Sequence, residues 1–193
     1  MKLKRKTMVA VLTAAMGTML LAPGAIYAGQ KDHNDAFVAG PANQSRIAQE
    51  VRHQLVMLPY YTVFDDLAFR VEGSTVTLLG AVTRPTLKSD AENVTKSVEG
   101  VTQVNNQITV LPLGSFDWQI RHAEARAIYG DPTLGDRYGY QALPSIHIIV
   151  DNGHVTLEGV VATQGDKNLI NVRANAVPNV FSVTNNLMVE KGH

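Results

Sequence analysis

The stretch Val76-Thr77-Leu78-Leu79-Gly80-Ala81-Val82 returns 79 residues later as Val155-Thr156-Leu157-Glu158-Gly159-Val160-Val161. Within each, apolar side chains recur at the two-residue period of a strand that buries one face. The same offset runs outward without a gap. Val71, Ala91, Val98, Val101, Val104, Asn106, Ile108 and Val110 return as Val150, Ile170, Val177, Val180, Val183, Asn185, Leu187 and Val189. An offset that survives the change from strand period to helix period marks a duplicated folding unit rather than shared composition.

Each copy can be read outward from that strand. Leu67 to Val71 runs into Gly73-Ser74, and Ile146 to Val150 runs into Asn152-Gly153. Asn-Gly suits a two-residue hairpin because both residues tolerate positive φ, and Gly-Ser reads as a weaker version of the same turn. Beyond the hairpin the period lengthens to that of a helix. Leu87, Ala91, Val94 and Val98 form one stripe, with Gly100 just past its end; Ile170, Ala174 and Val177 form the other, stopped by Pro178. Val104, Ile108 and Val110, and then Val183, Leu187 and Val189, read as a closing strand.

Upstream, Ile47, Val51, Leu55 and Leu58 share a helical face between a capping Ser45 and the stop at Pro59. Trp118, Ile120, Ala123, Ala127 and Ile128 do the same in the second copy, before an exit signal at Tyr129-Gly130-Asp131-Pro132. The predicted fold is α+β: two modules of order αββαβ, each with two helices on one face of a three-stranded mixed sheet. Domain one is expected at 45–111, a linker at 112–116 and domain two at 117–191. The stretch from Tyr129 to Ser145, rich in glycine and tyrosine, is the least repeat-like and reads as a loop.

The N-terminus carries Lys2, Lys4, Arg5 and Lys6 ahead of an uncharged apolar run from Met8 to Ala22, with small Ala28 at a cleavage position. Residues 1–28 are therefore expected to be a cleavable signal peptide directing the protein to the periplasm, and 29–44 a flexible leader. Of the 17 basic side chains, removing those four leaves 13 against 17 acidic ones. That balance argues against nucleic acid as a partner and against polybasic attachment to anionic lipid. With no cysteine there is no disulfide framework and no cysteine-linked lipid anchor, so stability must come from packed cores.

The repeated Val-Thr-Leu-x-Gly-x-Val, each followed by a helix and a Val-x-x-Val-x-Asn segment, resembles the BON domain. The pairing of two such copies with an export signal is similar to osmotically inducible periplasmic members of that family. The positions that carry the resemblance include Gly73, Gly80, Gly100 and Asn106 in copy one, and Gly153, Gly159 and Asn185 in copy two. They depart from one another where Asn179 stands in the place of Gly100, and Arg173 in the place of apolar Val94. The resemblance implies an envelope protein concerned with phospholipid contact, chaperone-like assistance or osmotic-stress protection.

Chemistry-bearing constellations are sparse. The six histidines lack short metal-ligand spacing, although His147 and His154 could approach across the second hairpin. Asp65-Asp66 reads as a solvated turn rather than an acid pair, since adjacent carboxylates lack the separation that glycoside hydrolysis needs. Gly73-Ser74 joins two strands, where a nucleophile elbow needs a strand-to-helix turn. Gly80 and Gly159 read as backbone devices, and Asn106 and Asn185 as side chains bonding to nearby backbone. The expectation is a protein without catalytic residues, metal or cofactor.

Candidate contacts are the aromatic residues Tyr60, Tyr61 and Phe64 of module one and Trp118, Tyr129, Tyr138 and Tyr140 of module two, which combine apolar area with polar atoms. Two partners suit them. The leading expectation is unfolded or partly folded envelope protein, bound in a chaperone-like way during stress. The alternative is a phospholipid membrane surface, contacted in support of envelope integrity.

Overall fold

Both hairpins form at the expected residues, and each sets the register of a sheet. The structure is a computed structural model in which residues 34–37, 45–141 and 145–190 are described. The expected signal peptide and most of the expected leader lie outside the described residues. The described residues fall in one compact unit that holds both modules.

Module one comprises β1 (Asn34–Asp35), α1 (Arg46–Val56), β2 (Asp66–Glu72), β3 (Thr75–Val82), α2 (Pro85–Lys96), β4 (Gln103–Asn106) and β5 (Thr109–Val110). The Ser45 hydroxyl accepts from the Ala48 amide at 3.2 Å and starts α1. β2 and β3 pair antiparallel, Val71 opposite Val76, and β3 takes β4 and β5 in parallel. Module two repeats this with α3 (Ser115–Tyr129), α4 (Pro132–Tyr138), β6 (Ile146–Asp151), β7 (His154–Val161), α5 (Gln164–Asn175), β8 (Ser182–Asn185) and β9 (Met188–Val189). β6 and β7 are antiparallel, Val150 opposite Val155, and β8 and β9 run parallel to β7.

Each module has its own core under its helices. In the first, Val51, Leu55, Leu67, Phe69, Val76, Leu78, Leu87, Ala91, Val98 and Ile108 pack together. In the second, Ile120, Ile128, Leu134, Ile146, Ile148, Val150, Val155, Leu157, Ile170, Ala174 and Leu187 do so. Full burial of each large side chain contributes about 1.5–3 kcal/mol relative to exposure.

Four expectations are corrected. The segment after Tyr129 is not all loop: the Asp131 carboxylate caps Thr133 and Leu134 at 3.0 and 3.3 Å, Pro132 opens α4, and Leu134 and Tyr138 are buried. Asp131-Pro132 ends one helix and begins the next. Residues 34–37, inside the expected leader, instead lie along β2, with Asn34 opposite Phe69 and the Ala36 amide bonded to the Leu67 carbonyl at 2.9 Å. The closing strand of each module is broken in two.

The two hairpin turns also differ. Asn152 and Gly153 both have positive φ, 49° and 80°, the pattern of a type I′ turn, whereas only Gly73, at 62°, does so in the first.

The breaks in the closing strands explain the repeated asparagine. Asn106 Nδ2 donates to the Lys88 carbonyl and to Glu92 at 3.0 Å each, and its Oδ1 accepts from the Ile108 amide at 3.1 Å. Asn185 repeats the pattern with the Lys167 carbonyl at 3.1 Å and the Leu187 amide at 3.2 Å. Each asparagine ties the closing strand to its helix and turns Ile108 or Leu187 into the core. A Cβ on Gly80 or Gly159 would collide with the carbonyl oxygen of Asp66 or Ser145, so close strand approach requires glycine there.

Candidate functional site

An aromatic surface stands at the hairpin tip of module two. Asp117, in the first turn of α3, points inward and accepts from the Asn152 amide at 2.9 Å and the Gly153 amide at 2.8 Å. Its neighbours Phe116 and Trp118 are thereby turned outward, 42% and 55% exposed. Phe181 precedes β8, and its amide donates to the Gly153 carbonyl at 2.9 Å. That places its ring, 67% exposed, 5.8 Å from the ring of Phe116. A Cβ on Gly153 would sit 2.8 Å from Phe181 and 3.0 Å from Phe116, so a bare backbone lets both rings close over the turn.

The Trp118 ring packs, tilted by 30°, against that of His122 one helical turn along, with centroids 4.0 Å apart, and the His122 Nδ1 lies 2.9 Å from the Trp118 carbonyl oxygen. With Phe116 and Arg126 they line a groove of about 280 Å³ between α3 and the turn at Pro178-Asn179. Asn179 has φ of 67°, close to the positive φ of Gly100 in the other module, which asparagine tolerates better than most residues.

The other candidate aromatics are dispersed. Tyr60 and Tyr140 are exposed, at 71% and 88%, Tyr60 lying under the Arg84 guanidinium with the ring centre 5.3 Å away. Tyr61 stacks on Phe37 at 3.7 Å, and Phe64 packs against the core of module two, so both serve the junction between modules. Tyr129 donates to the Ile146 carbonyl at 2.8 Å, and burial drives its hydroxyl well above the usual tyrosine range. Tyr138 is buried, donating to Asp166 and accepting from the Ala162 amide at 2.8 and 2.9 Å. As contacts, Tyr61, Phe64, Tyr129 and Tyr138 are therefore corrected to structural positions, because their rings are already used. Phe116 and Phe181 escaped sequence reasoning; they lie 65 positions apart and meet only through the turn at Gly153.

The polar candidates resolve into structure as well. Asp65-Asp66 is not a solvated turn: both residues are buried. Asp65 accepts from the amide and hydroxyl of Thr62 at 2.9 and 2.7 Å, and from those of Thr83 at 2.6 and 2.8 Å. His147 is buried beside Tyr61, and its β7 partner is Glu158 rather than His154. Arg173, replacing apolar Val94, reaches Asp131 at 2.6 Å and locks α5 to the added helix α4.

Besides Asp117, two further buried charge carriers on α3 have no counterpart in the sequence reading. Arg121 donates to the Val150 carbonyl at 2.7 Å, and burial lowers its pKa. Glu124 is fully buried with neither carboxylate oxygen hydrogen-bonded, and desolvation pushes it up to about 8. No group of metal-binding side chains occurs among the described residues.

This geometry is that of two small packed modules, the second of which presents an exposed aromatic surface. The BON domain family matches residues 43–112 and 136–191, and the chain belongs to that family. It is a tandem of two BON domains.

Among solved structures, it is similar to the C-terminal domain of CdsD, a structural protein of the type III secretion system of Chlamydia trachomatis. That match has 11% identity and a TM-score of 0.27, over 77% of this chain and 100% of that one. A second structure of CdsD gives 10% identity and a TM-score of 0.27 over 75% and 92%. The comparison with curated proteins gives no match.

Proposed function

We propose that this protein binds phospholipid membrane surfaces, with Phe116, Trp118 and Phe181 as the contact, in the periplasmic space to which its expected signal peptide would direct it. The observation that carries this reading is the pair of exposed rings, Phe116 and Phe181, over the Gly153 turn, with exposed Trp118 lining the same groove as Phe116 and Asp117 between them bonded to the turn. Aromatic side chains suit the headgroup level, where one part of the ring meets apolar chains and another meets water. The association of BON domains with phospholipid surfaces supports it further. No helix among the described residues is long and apolar enough to cross a membrane, so contact here would be peripheral.

Vesicle flotation of the purified chain tests the reading. The expected result is co-flotation that survives moderate salt and is lost in Phe116→Ser/Trp118→Ser/Phe181→Ser, while Tyr60→Ser floats like the unaltered chain. Absence of flotation with both zwitterionic and mixed anionic vesicles would overturn it.

A second reading, chaperone-like binding of exposed polypeptide during osmotic stress, is favoured by the groove of about 280 Å³ beside Trp118, which has room for an apolar side chain. It predicts that the protein delays aggregation of unfolded envelope proteins without vesicles, and that Trp118→Ser abolishes the delay. Equal aggregation with and without the protein would remove it.

A further inference from the structure

The contact between the two modules is built around carboxylic acids. Asp66, Ala68, His147 and Ile149 are buried yet belong to neither core. They lie at a seam where the segment before β2 runs along the free edge of β6, and the Ile148 amide donates to the Val63 carbonyl at 2.7 Å. Phe37 and Tyr61 stack there, and the Tyr61 hydroxyl is 3.3 Å from His147 Nδ1. Glu158 stands opposite His147 in the β6–β7 ladder, with Asn186 donating to it at 2.6 Å.

Asp35 of β1 and Asp66 of β2 approach from the other module, close enough that Asp66 feels both Asp35 and Glu158. On the module-one side Arg52 of α1 senses the charge of Asp35. Its guanidinium donates to the Asp35 and Ala36 carbonyls at 2.7 and 3.1 Å.

We propose that this seam is a pH-dependent joint, closed when its buried carboxyl groups are protonated and loosened as they ionise. Burial first, and the charges of Asp35 and Glu158 second, hold the Asp66 carboxyl well above the usual range. Glu158 is raised by burial and by Asp35, although the Asn186 hydrogen bond pulls it back. An opened seam rehydrates both groups and returns them to the ordinary carboxyl range near pH 4. The closed form therefore holds more protons between that range and the raised values. Raising the pH across that window favours opening, and acid favours closure. The joint would set how freely the aromatic tip of module two moves relative to module one.

Hydrogen exchange of the Ile148 amide reads the joint directly, because its acceptor is on the other module. After correction for intrinsic exchange, its protection should fall as pH rises from 5 to 7.5, by up to about tenfold per pH unit for each carboxyl that ionises. The core amides of Leu78 and Leu157 should stay level. In Asp66→Asn/Glu158→Gln the Ile148 profile should become flat, and Glu158→Gln alone should reduce its slope if the double variant does not fold. His147→Gln should retain a slope, separating the carboxyl groups from the imidazole.

Constant Ile148 protection in the unaltered chain would overturn the proposal. So would an unchanged slope in folded carboxyl variants, a slope abolished by His147→Gln, or a fall shared by the core amides.

Discussion

The two hairpin tips occupy the same place in the same fold and are finished in opposite ways. In module one the Thr102 amide donates to the Ser74 carbonyl at 2.9 Å, and the two hydroxyls meet at 2.8 Å. In module two the equivalent backbone bond runs from Phe181 to Gly153, also at 2.9 Å. There the side chains are aromatic, and Asp117 holds the turn from a longer first helix. The backbone bond is common to both tips, whereas the side chains around it are not. Duplication has kept the packing and hydrogen-bond skeleton while one tip became a polar end and the other an exposed aromatic surface.

Two copies that share one skeleton should depend equally on their cores, and a charge placed in either core should do the most damage. Val98→Asp and Ile170→Asp each put an unpaired carboxylate into apolar packing, at a cost of several kcal/mol. Each should abolish cooperative unfolding of its own module, read by thermal circular dichroism. If one variant left the melt unchanged, the two cores would not be equivalent.

Asp117→Ala should come next. It strands two turn amides and removes a carboxylate whose charge acts on Arg121, for roughly 1–3 kcal/mol of destabilisation in urea titration. Vesicle binding should fall with it, since Phe116 and Trp118 lose their fixed direction. Gly153→Ala and Gly73→Ala sharpen the contrast further. Both force alanine into positive φ, at about 1–2 kcal/mol. Gly153 also has the Phe181 and Phe116 rings within 3.0 Å, while Gly73 has nothing within 4 Å. The Gly153 variant should be the less stable and the only one to lose vesicle binding.

A further contrast separates the first helices by pH. Glu124 lies unpaired in module two, and burial raises its carboxyl to about 8 from an ordinary value of 4.5. The folded form thus holds a proton that the unfolded form releases at lower pH. Its contribution favours folding most below pH 4.5, declines as pH rises, and levels off above about 8. Glu124→Gln should flatten that decline in pH-dependent denaturation without altering vesicle binding.

The parts of this fold that a sequence displays are those held by neighbours along the chain. Alternation at Val76 and Leu78, the turn residues at Asn152-Gly153 and the cap at Ser45 are local, so each could be read before its partners were known. Asn106 and Asn185 were readable as backbone-bonding side chains, because a short amide near a strand end has few other uses. Helix α4 was missed because Asp131-Pro132 is both a stop and a start.

The aromatic tip was missed for a different reason. Phe116 and Phe181 are ordinary apolar residues in their own segments and acquire meaning only when Asp117 reaches the turn 35 positions away. The candidate tyrosines erred in the reverse direction: Tyr129 and Tyr138 look like contact residues until their hydroxyls find Ile146 and Asp166 inside the module.

Trp118 is the one tryptophan in the chain, so its fluorescence reports on the aromatic tip without any label. The decisive measurement is its emission and its quenching by lipids brominated at defined depths, with vesicles added to the purified chain. The emission should shift to the blue and be quenched most strongly by bromine near the headgroup boundary, and both changes should be lost in Asp117→Ala. Vesicles that bind the protein yet leave Trp118 in water, with unchanged emission and no quenching, would contradict membrane contact through this tip.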